Sequence, residues 1–406
     1  MTVSGIRAYA FSIPFAAPMR VGNRVLEERK GLLIRVEDGS GRFGWGEIAP
    51  LPGLDDDTLE DCKDDLRKLA GRIRKAGAID ASSQGSFQAS ACEALSGAIP
   101  PEEISRVGPQ SDAEQIAAPD AAPDAAPDAP WRDARFRPAV QFGLDSAVLA
   151  LVTGAGRNPV HKPGDPLAAT INGLFIPEPD MTIVRRQANR IVASGVSTVK
   201  VKIGRIPLEA ESAAIRYLYG RCGGNVTFRL DANRSFHPDR YRAYYRQLSD
   251  LPVEYVEEPL ENADFHSAAA VGWPLAVDES LPSYWNKKAG RPENLPDAVS
   301  RIIVKPATPV GFSNMMRFFS GSRAGSLLPV LSSAYNTVYG ISSLLLHLKH
   351  VPGAAAIAHG LDTGAFLQYD LVGSPPVIQN GRITAPDHIL WEKDQPDSGL
   401  TEEVRL

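Results

Sequence analysis

Charged residues stand at the carboxyl ends of a series of short apolar segments in the second half of the chain. A buried charge without a partner is costly, so charges repeated at this position indicate a shared polar site rather than a packed core. At the carboxyl ends of parallel barrel strands, the side chains of an active site meet. The residues are Lys200, Lys202, Asp231, Glu257, Glu258, Asp278, Glu279 and Lys305.

The acidic residues among them are spaced like strand ends. Asp231, Glu257 and Asp278 are separated by 26 and 21 residues, and Lys305 follows after another 27. Each interval is about the length of one strand and its helix, so three carboxylates would converge from adjacent strands. Convergent carboxylates raise one another's pKa unless a cation lies between them, and ligand sets made only of oxygen suit a hard ion. We therefore predict a Mg²⁺ site, with Mn²⁺ as a substitute.

The positions of the lysines predict a role in proton transfer. Lys200 and Lys202 lie two residues apart, so in a strand they point to the same face. A lysine beside a bound cation and a second ammonium group has its neutral form favoured, as a base acting on carbon requires. Lys305 would lie across the barrel, four strands further round. Such lysines suit proton transfer α to a metal-bound carboxylate, through an enediolate. The alternative is that these charges are salt bridges that close the top of the barrel.

The segments that carry these charges alternate with helical patterns. Eight short β-branched or apolar runs follow a predicted helix at Val140–Thr153. This alternation predicts an α/β fold with a (β/α)8 barrel. An open doubly wound sheet is the alternative, but the chain lacks a G-x-x-x-x-G-K-[ST] loop. The predicted strands are Ala168–Asn172, Thr198–Ile203, Val226–Asp231, Val253–Glu257, Leu275–Asp278, Arg301–Lys305, Leu328–Ser332 and Ala354–Ala358.

The first part of the chain is organised differently. Gly5–Pro14 and Lys30–Glu37 read as strands, Gly41–Ile48 reads as a return strand, and Asp56–Lys75 reads as an amphipathic helix. From about residue 77 to 135 the composition shifts to Ala, Ser, Pro and Asp, with Ala-Ala-Pro-Asp three times in tandem. Such a segment has too little apolar surface to offset its ordering entropy, which predicts a surface insertion. An inert linker is favoured over a partner-binding segment.

These patterns divide the chain into three parts. We predict an α+β capping domain over residues 1–137, which includes the insertion, a barrel over residues 138–368, and a segment over residues 369–406 that returns to the capping domain. In the last part, strands on either side of Asn380 and Gly381 predict a hairpin over residues 376–384 that joins the N-terminal sheet.

Composition excludes several classes of partner. The 406-residue chain has a formal net charge of −5 and a pI near 5.9, so it has no broad positive field for nucleic acid or membrane surfaces. Cys62, Cys92 and Cys222 form neither a disulfide framework nor a thiolate metal site. No signal peptide or membrane-spanning run is present, which predicts a cytoplasmic protein. The expected partner is a small carboxylate substrate, and the oligomeric state is left open.

With these residues in hand, the sequence resembles the enolase superfamily, and within it the o-succinylbenzoate synthase family of menaquinone biosynthesis. The resemblance covers nearly the whole chain outside the insertion. It is carried by Gly44-Trp45-Gly46-Glu47-Ile48-Ala49-Pro50-Leu51-Pro52-Gly53, Lys200-Val201-Lys202, Arg229-Leu230-Asp231-Ala232-Asn233-Arg234, Glu257-Glu258-Pro259, Asp278-Glu279-Ser280 and Lys305-Pro306.

The resemblance implies specific roles for these residues. It places the metal ligands at Asp231, Glu257 and Asp278, a choice over Glu258 and Glu279 that strand parity could not make. It implies Mg²⁺-dependent syn-dehydration of 2-succinyl-6-hydroxy-2,4-cyclohexadiene-1-carboxylate to o-succinylbenzoate. Lys202 would remove the proton α to the carboxylate and assist loss of the hydroxyl on the same face, with Lys200 beside it. Lys305 would stabilise the intermediate through a cation–π contact.

Substrate contacts are placed by position and by the resemblance. Ser332 and Ser333 end the seventh strand, and Gly360 to Thr363, including Asp362, follow the eighth; either group could hold the succinyl arm. Arg229 and Asn233 belong to the matched motif and are further candidates. The resemblance also implies loops at Pro18–Glu27 and Leu51–Gly53 that close over the site. The segment Ser-Ser-Ala-Tyr-Asn-Thr and the insertion depart from the family pattern.

Two other functions are weighed against this one. An N-acylamino acid racemase or dipeptide epimerase would use the same site, with Lys202 and Lys305 as opposed acid and base. A catalytically inactive barrel that acts as a scaffold through the insertion is the alternative from another class, and the intact lysines and carboxylates disfavour it. Seven scattered histidines show no H-E-x-x-H or triad context.

Overall fold

The computed structural model describes residues 2–77, 79–80, 136–154, 166–320, 325–372, 375–386, 388–390 and 401–406. Nearly all of the predicted insertion, and Cys92 with it, lies outside these residues. Among the helices within them, none is both long and apolar enough to cross a bilayer.

An antiparallel sheet and one helix form the cap. Its strands are Thr2–Val21, Arg24–Asp38, Phe43–Ile48, Ile79–Asp80 and Thr401–Val404, and its helix is Leu59–Ala76. The strand nearest the C-terminus pairs antiparallel with the first. A capping box begins the helix: the hydroxyl of Thr58 accepts from the backbone N–H of Asp61 (3.2 Å), and the Asp61 carboxylate accepts from the backbone N–H of Thr58 (3.0 Å). The strands and the helix predicted for the first part of the chain are confirmed.

Two glycines let the strand Phe43–Ile48 lie directly on the helix Pro138–Gly154. A Cβ atom built on Gly46 would lie 2.0 Å from the carbonyl oxygen of Gly143, and one built on Gly44 would lie 2.1 Å from the carbonyl oxygen of Ala147. A side chain at either position would overlap the helix backbone, so only glycine permits this approach. This contact joins the cap to the helix that precedes the barrel.

Seven parallel strands form one curved sheet whose spatial order follows the chain. Outward residues such as Val199, Val201 and Leu230 are fully buried in the core shared with the surrounding helices. Inward residues build a small separate core. The predicted α/β barrel is confirmed, because helices alternate with parallel strands around the sheet. The strands are Gly173–Phe175, Thr198–Lys202, Thr227–Asp231, Val253–Glu257, Leu275–Val277, Val299–Val304 and Leu328–Leu331.

Helices surround this sheet, and short elements lie at its ends. The helices are Pro138–Gly154, Met181–Ser194, Leu208–Arg221, Pro238–Leu248, Phe265–Ala269, Leu281–Tyr284, Phe312–Ser320 and Val338–Leu348. The short elements are the paired strands Trp285–Asn286 and Arg291–Pro292 and the 3₁₀ turns Ala354–Ala356, Gly364–Phe366 and His388–Leu390.

The eighth side of the barrel is closed by residues 358–360. The backbone of His359 bonds Thr170 and Asn172 on one side (2.9 Å each), and Gly360 N–H donates to the carbonyl of Leu331 on the other (2.8 Å). The buried His359 ring accepts from the N–H of Leu331 through Nδ1 (3.1 Å) and contacts the carbonyl of Ala354 through Nε2 (2.9 Å). This neutral ring supplies the partners that a full strand would otherwise provide, and burial lowers its pKa to about 4.

Two predicted barrel strands differ from the structure. The eighth strand was predicted at Ala354–Ala358, but Ala354–Ala356 is a 3₁₀ turn and the pairing residues follow it. The first barrel strand was predicted at Ala168–Asn172, but Leu167–Thr170 pairs outside the barrel sheet and the barrel strand is Gly173–Phe175. Short apolar runs carry no signal of which neighbour they pair with, which explains both errors.

The C-terminal hairpin forms but docks elsewhere. Its strands are Val377–Gln379 and Arg382–Ala385, and Asn380 (φ 50°) and Gly381 (φ 70°) both adopt the left-handed conformation of the tight turn. Its second strand pairs with Leu167–Thr170, so the prediction that it joins the N-terminal sheet is wrong.

Candidate active site

Strand register brings the charged residues to one end of the barrel interior. Lys202 pairs with Asp231, and Asp231 pairs with Glu257, across three adjacent parallel strands. The residues between them, such as Val201, face outward into the helical core. Period-two alternation therefore fixes which side chains meet inside the barrel mouth.

Six of these residues form two groups of ion pairs, together called the strand-end cluster: Lys200, Lys202, Asp231, Glu257, Asp278 and Lys305. Lys200 Nζ donates to both carboxylate oxygens of Glu257 (2.8 Å each) and lies 2.9 Å from Asp231 Oδ2. Lys202 Nζ donates to Asp231 Oδ2 (2.6 Å). In the other group, Lys305 Nζ donates to Asp278. Each lysine of the cluster is thus paired with at least one carboxylate at the barrel mouth.

Burial and mutual charge shift the pKa values of the cluster in different directions. Burial opposes the charge of Lys200, but the carboxylates of Asp231 and Glu257 outweigh it and raise the pKa of Lys200 well above its usual value. Burial likewise opposes ionisation of Asp231, but the two lysines hold its pKa well below its usual value. Burial, and then the charge of Asp231, raise the pKa of Glu257 to about 8. The shift of Lys200 is opposite to the one expected beside a bound cation, because carboxylates contact its ammonium directly.

The tandem acids Glu257 and Glu258 do different things. Glu257 points into the barrel towards Lys200, whereas Glu258, at φ 45°, is turned away and is fully buried. The Glu258 carboxylate accepts from the backbone N–H groups of Asp278 (2.8 Å) and Ser280 (2.9 Å) and from the Ser280 hydroxyl (2.5 Å). Glu258 therefore holds the backbone from which the Asp278 side chain extends.

The metal prediction can be compared with the residues present. Asp231, Glu257 and Asp278 offer only carboxylate oxygens, which suit a hard divalent cation. In the part of the chain that the structure describes, no three His, Cys, Asp or Glu side chains are arranged to hold a metal ion as they stand. Lys200 lies between two of the acids and Lys305 contacts the third. The donor chemistry fits the predicted ion, and the ligand set stays a prediction.

The two substrate candidates of the third barrel strand and its loop lie at different depths. Asn233 is exposed at the mouth and its Oδ1 accepts from Lys202 Nζ (2.9 Å). Arg229 lies deeper and is buried, and its guanidinium donates to Glu254 (2.8 Å) and to the carbonyl of Ala358 (2.7 Å). The structure brings Asn233 to the lysines and holds Arg229 in the barrel wall.

The candidates after the seventh and eighth strands lie side by side. Ser332 and Gly360 form a parallel bridge, and the hydroxyl of Ser333 donates to the carbonyl of Gly360 (3.1 Å) and contacts the hydroxyl of Thr363 (2.7 Å). Asp362 is half-buried, and burial raises its pKa. These residues share one edge of the mouth, and their substrate role stays a prediction.

Two buried charges of the cap were not among the predicted site residues. The guanidinium of Arg29 donates to the carbonyls of Ala49 and Pro50 (2.7 Å to Pro50) and to that of Tyr335 (3.3 Å), in the loop after the seventh barrel strand. Glu47 reaches the same loop. Glu47 lies in a motif that the sequence analysis singled out, whereas nothing in the sequence around Arg29 marks it as buried. These two residues and their partners in residues 332–340 are called the cap–barrel seam.

The two predicted closing loops contact each other. A Cβ atom on Gly22 would lie 2.5 Å from the carbonyl oxygen of Gly53, and one on Gly53 would lie 2.3 Å from that of Val21. Residues 18–27 are mainly the end of the hairpin between the first two cap strands rather than an irregular loop. Burial raises the pKa of Asp55, next to the second loop, and the charges of Arg29 and Lys305 oppose this rise. Closure over substrate stays a prediction.

Comparison with known families agrees with this fold. A profile described as the enolase C-terminal domain-like family matches residues 183–389, just over half of the chain. The chain belongs to the enolase superfamily. A second profile, described as the MenC N-terminal domain, matches residues 3–91. The (β/α)8-type barrel with an α+β cap is thus the fold that this superfamily shares with the chain.

Individual members of the superfamily resemble the chain over most of its length. The o-succinylbenzoate synthase of Photorhabdus laumondii is 24% identical over 90% of this chain and 91% of its own length. That of Edwardsiella ictaluri is 26% identical, with 96% and 97% covered. Among solved structures, a dipeptide epimerase from Methylococcus capsulatus, complexed with Mg and the dipeptide L-Arg-D-Lys, has a TM-score of 0.69 at 19% identity and covers 98% of each chain.

Proposed function

We propose that this enolase-superfamily enzyme catalyses the syn-dehydration of 2-succinyl-6-hydroxy-2,4-cyclohexadiene-1-carboxylate to o-succinylbenzoate, a step of menaquinone biosynthesis. The observation that carries the proposal is the pair of lysine groups on separate barrel strands, Lys200 with Lys202 and Lys305, each against carboxylates at the mouth. The relatives that cover most of this chain are o-succinylbenzoate synthases, which supports the choice of substrate.

Lys202 is the proposed base and acid. Its side chain is 27% exposed, so a substrate at the barrel mouth can reach the ammonium nitrogen. The neutral amine takes the proton from the ring carbon that carries the carboxylate, and an enediolate forms. The carbon–oxygen bond of the neighbouring hydroxyl then breaks on the same face, and Lys202 returns the proton so that water leaves. The products are one aromatic ring and one water, which balances the reaction.

The other charged residues bind and stabilise. Asp231, Glu257 and Asp278 would hold Mg²⁺, which when bound neutralises the negative charge that develops on the substrate carboxylate. Lys305 stabilises the developing ring by a cation–π contact, and its side chain is 19% exposed. Lys200, bonded to both Asp231 and Glu257, keeps a second positive charge beside Lys202.

The test is direct conversion of two substrates side by side. Purified protein with Mg²⁺ should turn the hydroxy-cyclohexadiene carboxylate into o-succinylbenzoate, measured by loss of the diene absorbance and by mass spectrometry of the product. An N-succinylamino acid serves as the second substrate. Metal-replete, folded protein that leaves the first substrate unchanged contradicts the proposal.

The second candidate is racemisation of an acylamino acid or epimerisation of a dipeptide. Lysines at the ends of two separate barrel strands also fit this candidate, in which one lysine would remove and the other return an α proton. The fold shared with a dipeptide epimerase adds to this candidate. In heavy water such an activity exchanges the α proton of the substrate for deuterium, and the dehydration substrate is then left unchanged.

An inactive scaffold is the remaining alternative. Titration calorimetry with Mg²⁺ distinguishes it from both enzymatic functions. Absence of heat from binding, together with no turnover of either substrate, would support the scaffold.

A further inference from the structure

Glu47 is a fully buried carboxylate of the cap that reaches the barrel loop after the seventh strand. It accepts from Asn336 Nδ2 (2.7 Å), from the backbone N–H groups of Thr337 and Gly340 (3.1 Å each), and from the Thr337 hydroxyl. Four donors on a single carboxylate satisfy nearly all of its lone pairs. The carboxylate lies 289–293 residues away in sequence from these partners, so it joins two domains rather than stabilising its own strand.

The surroundings are shaped around this carboxylate. A Cβ atom on Gly340 would lie 2.9 Å from the carboxyl carbon of Glu47, so glycine leaves the space that the carboxylate fills. Gly46, the preceding residue, allows the strand to approach the helix closely enough for Glu47 to reach the loop. Two glycines and one acid, far apart in sequence, therefore form one fitted contact.

The loop that Glu47 holds carries candidate substrate contacts. Asn336 Oδ1 accepts from the backbone N–H of Ala334 (2.8 Å), and between them Tyr335 adopts the left-handed conformation (φ 57°). The backbone N–H of Tyr335 donates to the hydroxyl of Thr363 (3.1 Å), which also contacts Ser333. A movement of Asn336 would therefore also move Tyr335 and its hydrogen-bond partner Thr363, at the edge of the mouth where the seventh and eighth strands end.

The same contact removes one way of binding the substrate. The helix N-terminus after the seventh strand is an anion site in many barrels. Here the N-terminus of the helix Val338–Leu348 is already occupied by Glu47 and by Asp370, which accepts from the backbone N–H of Val338 (3.0 Å). This helix terminus is therefore not free to bind a second substrate carboxylate, which leaves the loops at the mouth to recognise it.

We infer that Glu47 is a positioning residue that sets the loop of residues 333–337 for recognition of the distal arm of the substrate. This inference rests on the proposed function, because it assumes a substrate with an arm beyond its reacting carboxylate. Arg29 assists by donating to the carbonyl of Tyr335 from the same side.

The test compares two carboxylates that accept from backbone N–H groups at one helix terminus. Glu47→Gln places an amide N–H against N–H donors. Asp370→Asn changes an acid that, among the described residues, accepts only from the backbone N–H groups of Val338 and Leu371. We expect Glu47→Gln to raise KM for the hydroxy-cyclohexadiene carboxylate about tenfold and to change kcat less than about threefold. Asp370→Asn should leave both constants close to those of the wild type. Equal KM values in both variants and the wild type would overturn the inference.

A second measurement does not depend on the substrate. Amide hydrogen exchange at residues 333–337 should accelerate in Glu47→Gln and stay unchanged in Asp370→Asn; unchanged exchange in both would overturn the inference. If the wild type turns over neither candidate substrate, the proposed function fails, and this exchange experiment still decides whether Glu47 holds the loop. Should Glu47→Gln not fold, Asn336→Ala, which removes one donor to Glu47, is expected to show the same change in KM and in exchange.

Discussion

The strand-end cluster and the cap–barrel seam both bury charge, but they satisfy it in different ways. In the cluster, lysines meet carboxylates side chain to side chain, and Lys202 remains 27% exposed and Lys305 19% exposed. In the seam, Arg29 and Glu47 are at most 1% exposed; Arg29 donates to backbone carbonyls, and Glu47 accepts from two backbone N–H groups and two side chains. Charged side chains that remain accessible can exchange protons with a ligand. Enclosed charged side chains that are bonded to a loop instead hold that loop in place. The comparison teaches that burial of charge alone does not identify catalytic residues.

Removal of Lys202 gives the largest expected effect. Lys202→Ala should lower kcat by about a thousandfold or more, because a positioned base contributes about 10² to 10⁴ in rate. Its thermal unfolding should resemble that of the control Lys288→Ala, whose lysine is exposed on a surface hairpin. Steady-state kinetics and calorimetric unfolding check both statements. A variant that keeps a tenth of the activity would break the distinction between accessible and enclosed charge.

Gly46→Ala tests the seam through its backbone. The new Cβ atom would lie 2.0 Å from a carbonyl oxygen, so we expect loss of about 3 kcal/mol in the free energy of unfolding. Gly71→Ala is the control, because nothing lies within 4 Å of a Cβ atom there and the residue is inside a helix. That variant should gain about 0.5–1 kcal/mol. Urea unfolding measures both, and equal stabilities would contradict the close-packing account.

Glu258→Gln tests whether a buried carboxylate positions a member of the strand-end cluster. Its carboxylate holds the backbone N–H groups of Asp278 and Ser280, so an amide in its place should displace the Asp278 side chain. We expect Mg²⁺ affinity to fall about tenfold, as is usual when a partner of a metal ligand is removed. Titration calorimetry measures this, with Glu261→Gln as the exposed control. Unchanged Mg²⁺ affinity would show that Glu258 does not position the predicted metal ligand Asp278.

Asp145 sharpens the comparison because it is a half-buried acid whose carboxylate has no charged hydrogen-bond partner in the described structure. Its Oδ1 accepts from Gln141 (2.8 Å), its Oδ2 has no hydrogen-bond partner in the described structure, and burial raises its pKa to about 7. The folded state therefore binds the proton more tightly than the unfolded chain, whose Asp pKa is near 4. The stability contributed by the protonated acid is present below about pH 4 and is lost as pH rises through about 7.

The measurement is the difference between the wild type and Asp145→Asn in urea unfolding from pH 6 to 8. The wild type should lose on the order of 1 kcal/mol relative to the variant over this range. Taking the difference removes the contribution of His347, whose pKa burial lowers to about 3 and which remains in both proteins. A pH-independent difference would show that Asp145 keeps its usual pKa.

Much of the barrel and of its mouth could be predicted from the chain alone. Side chains alternate across a strand with a period of two, and strand–helix units repeat at a nearly constant length, so spacing places Lys202, Asp231 and Glu257 on one face of neighbouring strands. Helix patterns are equally local: the predicted helices at Asp56–Lys75 and Val140–Thr153 correspond to Leu59–Ala76 and Pro138–Gly154. These features depend on interactions between near neighbours, which a sequence displays directly.

What the tertiary structure decided are the pairings between distant segments. The contacts of Glu47 and Arg29 with residues near 335 span about 290 to 306 residues, and the docking of the hairpin on Leu167–Thr170 spans more than 200. Periodicity cannot specify such partners, because an apolar or charged residue fits many distant segments equally well until the chain is folded. The sequence determined which residues could do the chemistry, and long-range packing determined which buried charges hold the loops around them.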